Sequence, residues 1–345
     1  MQTSSSDTSP TTHQTPLPGA SEIAAPGGAS TQAWKSHIRI ALQAMRPKQW
    51  TKNGLVLLAL VFSHRLFDAG AAARALTAFV AFCLIASAVY IFNDLYDREK
   101  DALHPVKRYR PIASGRLSPR NAIALAILCA LGASVATASL AIFGLPHQPD
   151  PYAMWGGSPA LFTLTIAAYA GMNIAYTLRL KHEVLWDVFI IAAGFVLRAL
   201  AGAIAIPVPI SPWFYLCTTF LALFLALGKR RAELGTLSEA ATHHRPNLRD
   251  YNLPLLDQLL GVTVTSVLIT YSLYTFQGEN ASHALMLTIP FVVYGTYRYL
   301  YLIYARGEGG QPDLVLYRDR HILATVILCV LVILALLYVV PAMHG

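Results

Sequence analysis

NDLYDREKDALHPVKRYRPIASGR, residues 93–116, lies between two long apolar runs and gathers charge that the rest of the chain largely avoids. It holds four of the eighteen acidic residues, Asp94, Asp97, Glu99 and Asp101, followed at once by Lys107, Arg108, Arg110 and Arg116. Asp94, Asp97 and Asp101 are spaced i, i+3, i+7. On one helix they fall within about 60° of each other. Three carboxylates on one stripe repel unless a cation neutralises them. A small set of hard oxygen donors suits Mg²⁺, which keeps several waters and completes its shell with substrate phosphates. Asn93 adds a neutral oxygen donor. Lys107 and Arg110 are candidates for phosphate, since guanidinium binds phosphate in a bidentate fork.

The chain around this segment is built for lipid. Of its 345 residues 55% are hydrophobic and 13% charged, with a mean hydropathy of +0.48. Soluble domains carry roughly 25% charged residues. The net charge of +8 does not indicate a nucleic-acid partner, because the basic residues sit in short segments between apolar runs. The four cysteines, Cys83, Cys129, Cys217 and Cys329, stand alone in apolar surroundings, so neither a disulfide framework nor a zinc site is indicated. Residues 1–33, rich in Ser, Thr, Pro and Gly, read as a disordered tail before one domain over 34–345.

A basic amphipathic stretch, Trp34 to Asn53, reads as a helix on the membrane surface; its compact run RPKQWTKN at 46–53 goes beyond that need. Nine apolar runs follow, near 51–67, 74–93, 120–143, 158–178, 184–206, 211–228, 254–276, 284–305 and 321–342. Most approach the roughly 20 residues that cross the hydrocarbon layer. The expected fold is an all-α integral membrane protein, about nine transmembrane helices bundled around a central cavity open to the cytoplasm and laterally to lipid. Of the 26 Lys and Arg, only Arg65 and Arg74 fall in connections on the side away from the N-terminus, and Arg198 and Arg298 fall inside helices. That asymmetry places the N-terminus and the 93–116 segment in the cytoplasm and the C-terminus outside.

Three further groups stand out. Lys229, Arg230 and Arg231 form a basic knot at a helix end. Arg198 lies eleven residues after Asp187, about 16 Å deeper on nearly the same face. A guanidinium at that depth is costly unless it is paired or faces a wet cavity, which marks a functional site. Arg298 lies among tyrosines and reads as structural or functional on sequence alone.

NDLYDREKD at 93–101 resembles the NDxxDxxxD motif of the UbiA superfamily of intramembrane prenyltransferases, with Asn93, Asp94, Asp97 and Asp101 matching position by position. The resemblance implies nine helices around a cavity, with Mg²⁺ and diphosphate at its cytoplasmic mouth. Typical members carry a second aspartate-rich motif after the sixth helix. Here that place reads LGKRRAEL, 227–234, with Glu233 as its one acid. RPKQWTKN (46–53), residues 93–115 and YTLRLKHEVLWDVFIIAAGFVLRALAG (176–202) are similar to the decaprenyl-phosphate phosphoribosyltransferase branch. The activity implied is transfer of 5-phosphoribose from phosphoribosyl diphosphate (PRPP) to a polyprenyl phosphate, with Mg²⁺ as cofactor, in the bacterial inner membrane, supplying lipid-linked arabinose precursors for cell-envelope glycans. On this reading Asp94, Asp97 and Asp101 hold the metal, with Asn93 beside them. Lys107, Arg110, Lys229 and Arg230 are candidates for PRPP phosphates. Lys48, Asn53, Lys181 and Arg198 line the cavity and hold the two phosphorylated substrates, and Asp187 orients Arg198 or the ribose. Conventional prenyl transfer from an allylic diphosphate shares the first motif. A transporter or flippase would carry paired broken helices or an internal repeat, which the sequence does not clearly show. A homo-oligomer is compatible with the sequence, though no extramembrane pairing element is evident.

Overall fold

The computed structural model describes residues 37–143, 150–236, 250–277, 283–310 and 312–340; the expected tail, 1–33, lies outside them. Contacts divide the chain into Met1–Arg39, whose described residues 37–39 are helical, and Ile40–Gly345. The described residues contain no strand.

A surface helix α1 (37–45) leads into a 3₁₀ segment, Pro47–Leu57, and a short helix α2 (Leu58–Phe62). Then come α3 (Ala69–Tyr96), α4 (Arg98–Leu103), α5 (Pro119–Phe143), α6 (Gly157–Leu178), α7 (Trp186–Ala205) and α8 (Pro212–Thr236). They are followed by α9 (Leu253–Gln277), α10 (Ile289–Arg306), α11 (Pro312–Arg318) and α12 (Arg320–Leu334), which runs on into a π turn, Ala335–Val339.

Seven of these, α3, α5, α6, α7, α8, α9 and α12 with its π turn, are long and apolar enough to cross a membrane. The expected runs 51–67 and 284–305 fall short of that standard. In the second, α10 carries Arg298, Arg306 and a row of tyrosines that lower its hydropathy. In the first, eleven residues wind as 3₁₀ and five as α-helix. The tighter 3₁₀ coil rises about 2.0 Å per residue rather than 1.5, so this short stretch still reaches about 30 Å.

Helices adjacent in sequence pack side by side: α6 on α7, α7 on α8 and α8 on α9, while α3 packs on α5. Small residues bring the backbones close, as in α3, where Ala71, Ala75, Ala78, Ala81 and Ala86 are buried. The 3₁₀ segment touches α7 directly. A Cβ added at Gly202 would lie 2.0 Å from the Val56 carbonyl oxygen, so only glycine fits there. Large apolar side chains face outward along the bundle, among them Leu128, Val135, Ile142, Val262 and Ile269, each more than half exposed. Such a surface in water would be an aggregation liability; in hydrocarbon it is the correct solvent.

Helix ends follow local chemistry. Asp68 caps α3 by accepting from the Ala71 amide at 3.0 Å, and Asp319 caps α12 by accepting from Ile322 at 2.9 Å. Gly307, at φ 66°, ends α10 with its amide on the Leu302 carbonyl. A cavity of about 260 Å³ lies between α2, the C-terminal parts of α7 and α9 and the start of α8, lined in part by Phe62, Arg65, Phe214 and Tyr274. It sits at the end of the bundle away from Asp94.

Candidate active site

Helix α3 does not run through the acidic motif. It ends at Tyr96, Asp97 turns the chain at φ −89°, ψ 7°, and α4 restarts at Arg98. The expected single stripe is therefore broken at its middle member, and the carboxylates divide. Asp94 and Asp101 are buried and converge on one atom, Nη1 of Arg110, at 3.0 and 2.5 Å. Asp97 turns to the next connection, where Lys181 Nζ donates to both its oxygens at 2.7 and 2.9 Å and lies 5.3 Å from the Tyr96 ring centre. Asn93 accepts from the Thr177 hydroxyl at 3.2 Å, fastening the end of α6 to the same corner.

Arg110 is placed by the loop that carries it. After the turn Lys107–Tyr109 the chain packs Ile112 and Leu117 against Ala44, Ile91 and Ala122. Arg116 ties the loop down through the Tyr109 carbonyl and, at 3.2 Å, the Gln43 side chain. Lys107 Nζ stands 3.8 Å from Asp101. A further cation arrives from the other side: Arg46 Nη2 shares Oδ1 of Asp94 with Arg110, and its guanidinium lies 5.3 Å from the Tyr90 ring centre. Arg46 is the joint between α1 and the 3₁₀ segment, held at φ 56°, ψ 60°, a left-handed conformation uncommon for a residue with a side chain.

A second corner forms where α7 begins and α8 ends. Asp187 is fully buried; Arg230 Nε donates to it at 2.6 Å and the Tyr251 hydroxyl at 2.8 Å. Arg230 Nη1 also reaches Glu233 at 2.5 Å. Tyr251 accepts from the amide of Leu185, a residue at φ 66°. Burial, and then the Asp187 carboxylate it donates to, push the Tyr251 phenol well above its ordinary range, so it remains a donor at neutral pH. Lys229 lies half-buried beside Arg230, and Arg231 reaches Asp257 at 3.0 Å and lies over the Tyr304 ring.

Deeper in the bundle, Arg198 is buried with neutral partners: Asn53 Oδ1 at 2.7 Å, the Gly194 carbonyl at 2.6 Å and the Tyr169 hydroxyl at 2.8 Å. Asn53 in turn donates to Cys83 Sγ at 3.3 Å. The expected link between Asp187 and Arg198 does not form; Asp187 belongs to Arg230. Arg198 and Asn53 bind the 3₁₀ segment to α6 and α7 rather than facing an open space. Lys48 is exposed on the 3₁₀ segment, apart from these bonds. Arg298 pairs with Asp319 at 2.7 Å, which settles it as the tie between α10 and the start of α12.

Among the described residues no group of three or more His, Cys, Asp or Glu is gathered as a metal cluster. The donors still suit a hard divalent ion at one place. Asp94 and Asp101 are carboxylates whose oxygens already converge on a single positive atom, the position a cation between them would take. Asp97 joins them only if Lys181 releases it.

Sequence reasoning missed Arg46, Tyr169, Tyr251 and Glu233 as members of these networks. Arg46 carried one signal, its place directly before Pro47 at the end of a basic helix. Tyr169 and Tyr251 carried none, since their partners are distant in sequence; Glu233 carried one, its place three residues after Arg230 on the same helix.

Helices long and apolar enough to cross a membrane bring acidic and basic side chains together at one end, and that combination is the candidate site of a membrane-embedded protein. The chain belongs to the UbiA prenyltransferase family, whose profile matches residues 54–312. It is similar to the decaprenyl-phosphate phosphoribosyltransferase of Mycolicibacterium smegmatis, 35% identical over 294 residues, 81% of this chain and 86% of that one. The protein of the same name from Mycobacterium tuberculosis H37Rv is 34% identical over 285 residues, 81% and 88% of the two chains. A solved UbiA homolog from Archaeoglobus fulgidus, bound to GPP and Mg²⁺, shares the fold with a TM-score of 0.61 at 18% identity, covering 85% of this chain and 96% of that one.

Proposed function

We propose that this protein transfers 5-phosphoribose from PRPP to a polyprenyl phosphate of the decaprenyl type, releasing diphosphate. The observation that carries the reading is the state of the α8 corner. There Asp187 and Glu233 both close on Arg230, so the motif at 94–101, with Arg46, Lys107, Arg110 and Lys181 around it, is left to receive the donor. One carboxylate group with surplus cations suits a donor bearing a diphosphate and a separate 5-phosphate. The identity to phosphoribosyltransferases over most of the chain supports the same choice.

In the reaction the bond from ribose C1 to the diphosphate oxygen breaks and its electron pair leaves with diphosphate. A bond forms between C1 and a phosphate oxygen of the lipid. That oxygen is already anionic, so no general base is needed. Lys181 and Arg110 orient and stabilise the departing diphosphate, and Lys107 and Lys229 are the candidates for the 5-phosphate. Asp94 and Asp101, with Asp97 once freed, would hold Mg²⁺, which supplies charge neutralisation to the leaving group. Arg230 is locked in its own ion pairs and acts by holding Lys229 and the α8 end in place. Arg198 and Asn53 fix the 3₁₀ segment that carries Lys48. The distribution of basic residues supports a cytoplasmic position for this end of the bundle, the side from which a soluble donor would enter, and an outside position for the C-terminus. The product would feed lipid-linked arabinose donors.

Purified protein given labelled PRPP, polyprenyl phosphate and Mg²⁺ is expected to form a lipid-extractable phosphoribose, and chelation is expected to stop it. Lipid-extractable label that is the same with and without the protein would overturn the assignment.

A further inference from the structure

Around Asp94 and Asp101 three cations face two carboxylates: Arg46 and Arg110 on Asp94, Arg110 and Lys107 on Asp101. The carboxylates sit on helices and are buried. The arginines sit on joints, Arg46 between α1 and the 3₁₀ segment and Arg110 after a short turn, and each keeps about a quarter of its side-chain surface exposed. The anionic side is thus fixed and the cationic side can change partner by side-chain rotation alone. Arg46 adds a strained left-handed backbone, a feature that gathers at functional sites.

We infer that Arg46 and Arg110 are internal counter-ions that a divalent metal displaces and a diphosphate then receives, so that metal and donor bind cooperatively. Arg110 occupies the point where Asp94 and Asp101 converge. A metal entering there without an anion would meet both guanidiniums at close range and leave them only water in exchange for their carboxylates. A diphosphate gives them new acceptors of the bidentate kind they favour. The coupling is reciprocal, as any binding linkage must be. Arg46 and Arg110 are therefore positioning residues that suppress binding of bare metal and assemble the site only when the donor arrives. The inference rests on the proposed use of a diphosphate donor, but not on PRPP itself.

The test uses full-length protein in detergent, with bound Mn²⁺ read by electron paramagnetic resonance, with and without inorganic diphosphate and corrected by protein-free titrations. In the wild type, diphosphate is expected to tighten Mn²⁺ binding within the usual range of allosteric coupling, about 5- to 150-fold. In Arg110→Gln, bare Mn²⁺ is expected to bind about ten-fold more tightly than in the wild type, and the enhancement by diphosphate to shrink towards one. Arg110→Lys keeps the charge and is expected to fall between. Bare-metal affinity that stays the same or weakens in folded Arg110→Gln would overturn the inference. Should that variant not fold, Arg46→Gln carries the same prediction through Asp94 alone, with the same contrary outcome. Tightened Mn²⁺ with no turnover of PRPP would refute the proposed donor and leave the exchange standing; turnover without tightening would do the reverse.

Discussion

Arg110 joins Asp94 to Asp101 much as Arg230 joins Asp187 to Glu233, yet Arg110 keeps 26% of its side chain exposed and Arg230 only 2%. The chemistry is the same and the surroundings differ. Arg230 is enclosed between α7, α8 and Tyr251, so its pair with the fully buried Asp187 can be broken only by opening the bundle. Arg110 lies at the rim, where water or a ligand phosphate can replace a carboxylate. A buried arginine bridge of the first kind fixes architecture; one of the second kind holds a site ready. Arg198 marks a third condition, a guanidinium satisfied wholly by neutral oxygens deep in the bundle.

The contrast can be broken most sharply at the rim. Asp94→Ala is expected to reduce phosphoribosyl transfer by about a hundred-fold or more, since it removes a carboxylate on which two arginines and the candidate metal position depend; turnover assays with Tm measured in parallel check it. Activity near the wild-type level would place the chemistry elsewhere. At the locked corner the larger effect should be on stability. Arg230→Ala leaves Asp187 buried without its cation and is expected to cost about 3–5 kcal/mol, read as a lowered thermal midpoint in detergent. If turnover fell while the midpoint held, Arg230 would belong with Arg110 instead.

Smaller effects sharpen the scaffold's part. Gly202→Ala drives a methyl into the Val56 carbonyl and is expected to cost about 1–3 kcal/mol, because the 3₁₀ segment must move away from α7. Asp319→Ala should cost about 1 kcal/mol through the lost α12 cap. The Arg298 guanidinium, with help from the Ile322 amide, holds the Asp319 carboxyl below its ordinary range. Its contribution is therefore present above the unfolded value of about 3.9 and is lost as pH falls through the lower folded value. Acid titration of the thermal midpoint in wild type and Asp319→Ala should converge at low pH.

Much of the fold was legible because hydrocarbon imposes a coarse rule: long apolar runs become helices, and short charged segments join them. The run at 51–67 escaped that rule, since nothing in its composition announces the 3₁₀ winding that lets Pro47–Phe62 extend as far as it does. The acidic motif was legible because its members and Arg110 lie within seventeen residues of one another, so local spacing brings them together. The Asp187–Arg230 pair was not, although both residues were singled out. They are 43 positions apart, and their meeting depends on how α7 leans on α8. Asp187, expected to orient Arg198 or the ribose, pairs with Arg230 instead, since a residue eleven positions along its own helix is too far for direct contact. Arg46 reaches Asp94 over 48 positions through a left-handed turn that sequence spacing does not disclose.

On the proposed function the rim receives a sugar diphosphate rather than a prenyl one. A single competition assay tests it most directly: purified protein with polyprenyl phosphate and Mg²⁺, offered labelled PRPP and a labelled allylic prenyl diphosphate together. Label from PRPP is expected to enter the lipid fraction as phosphoribose while the allylic diphosphate is left intact. Prenyl transfer from the allylic diphosphate, with PRPP unchanged, would contradict it.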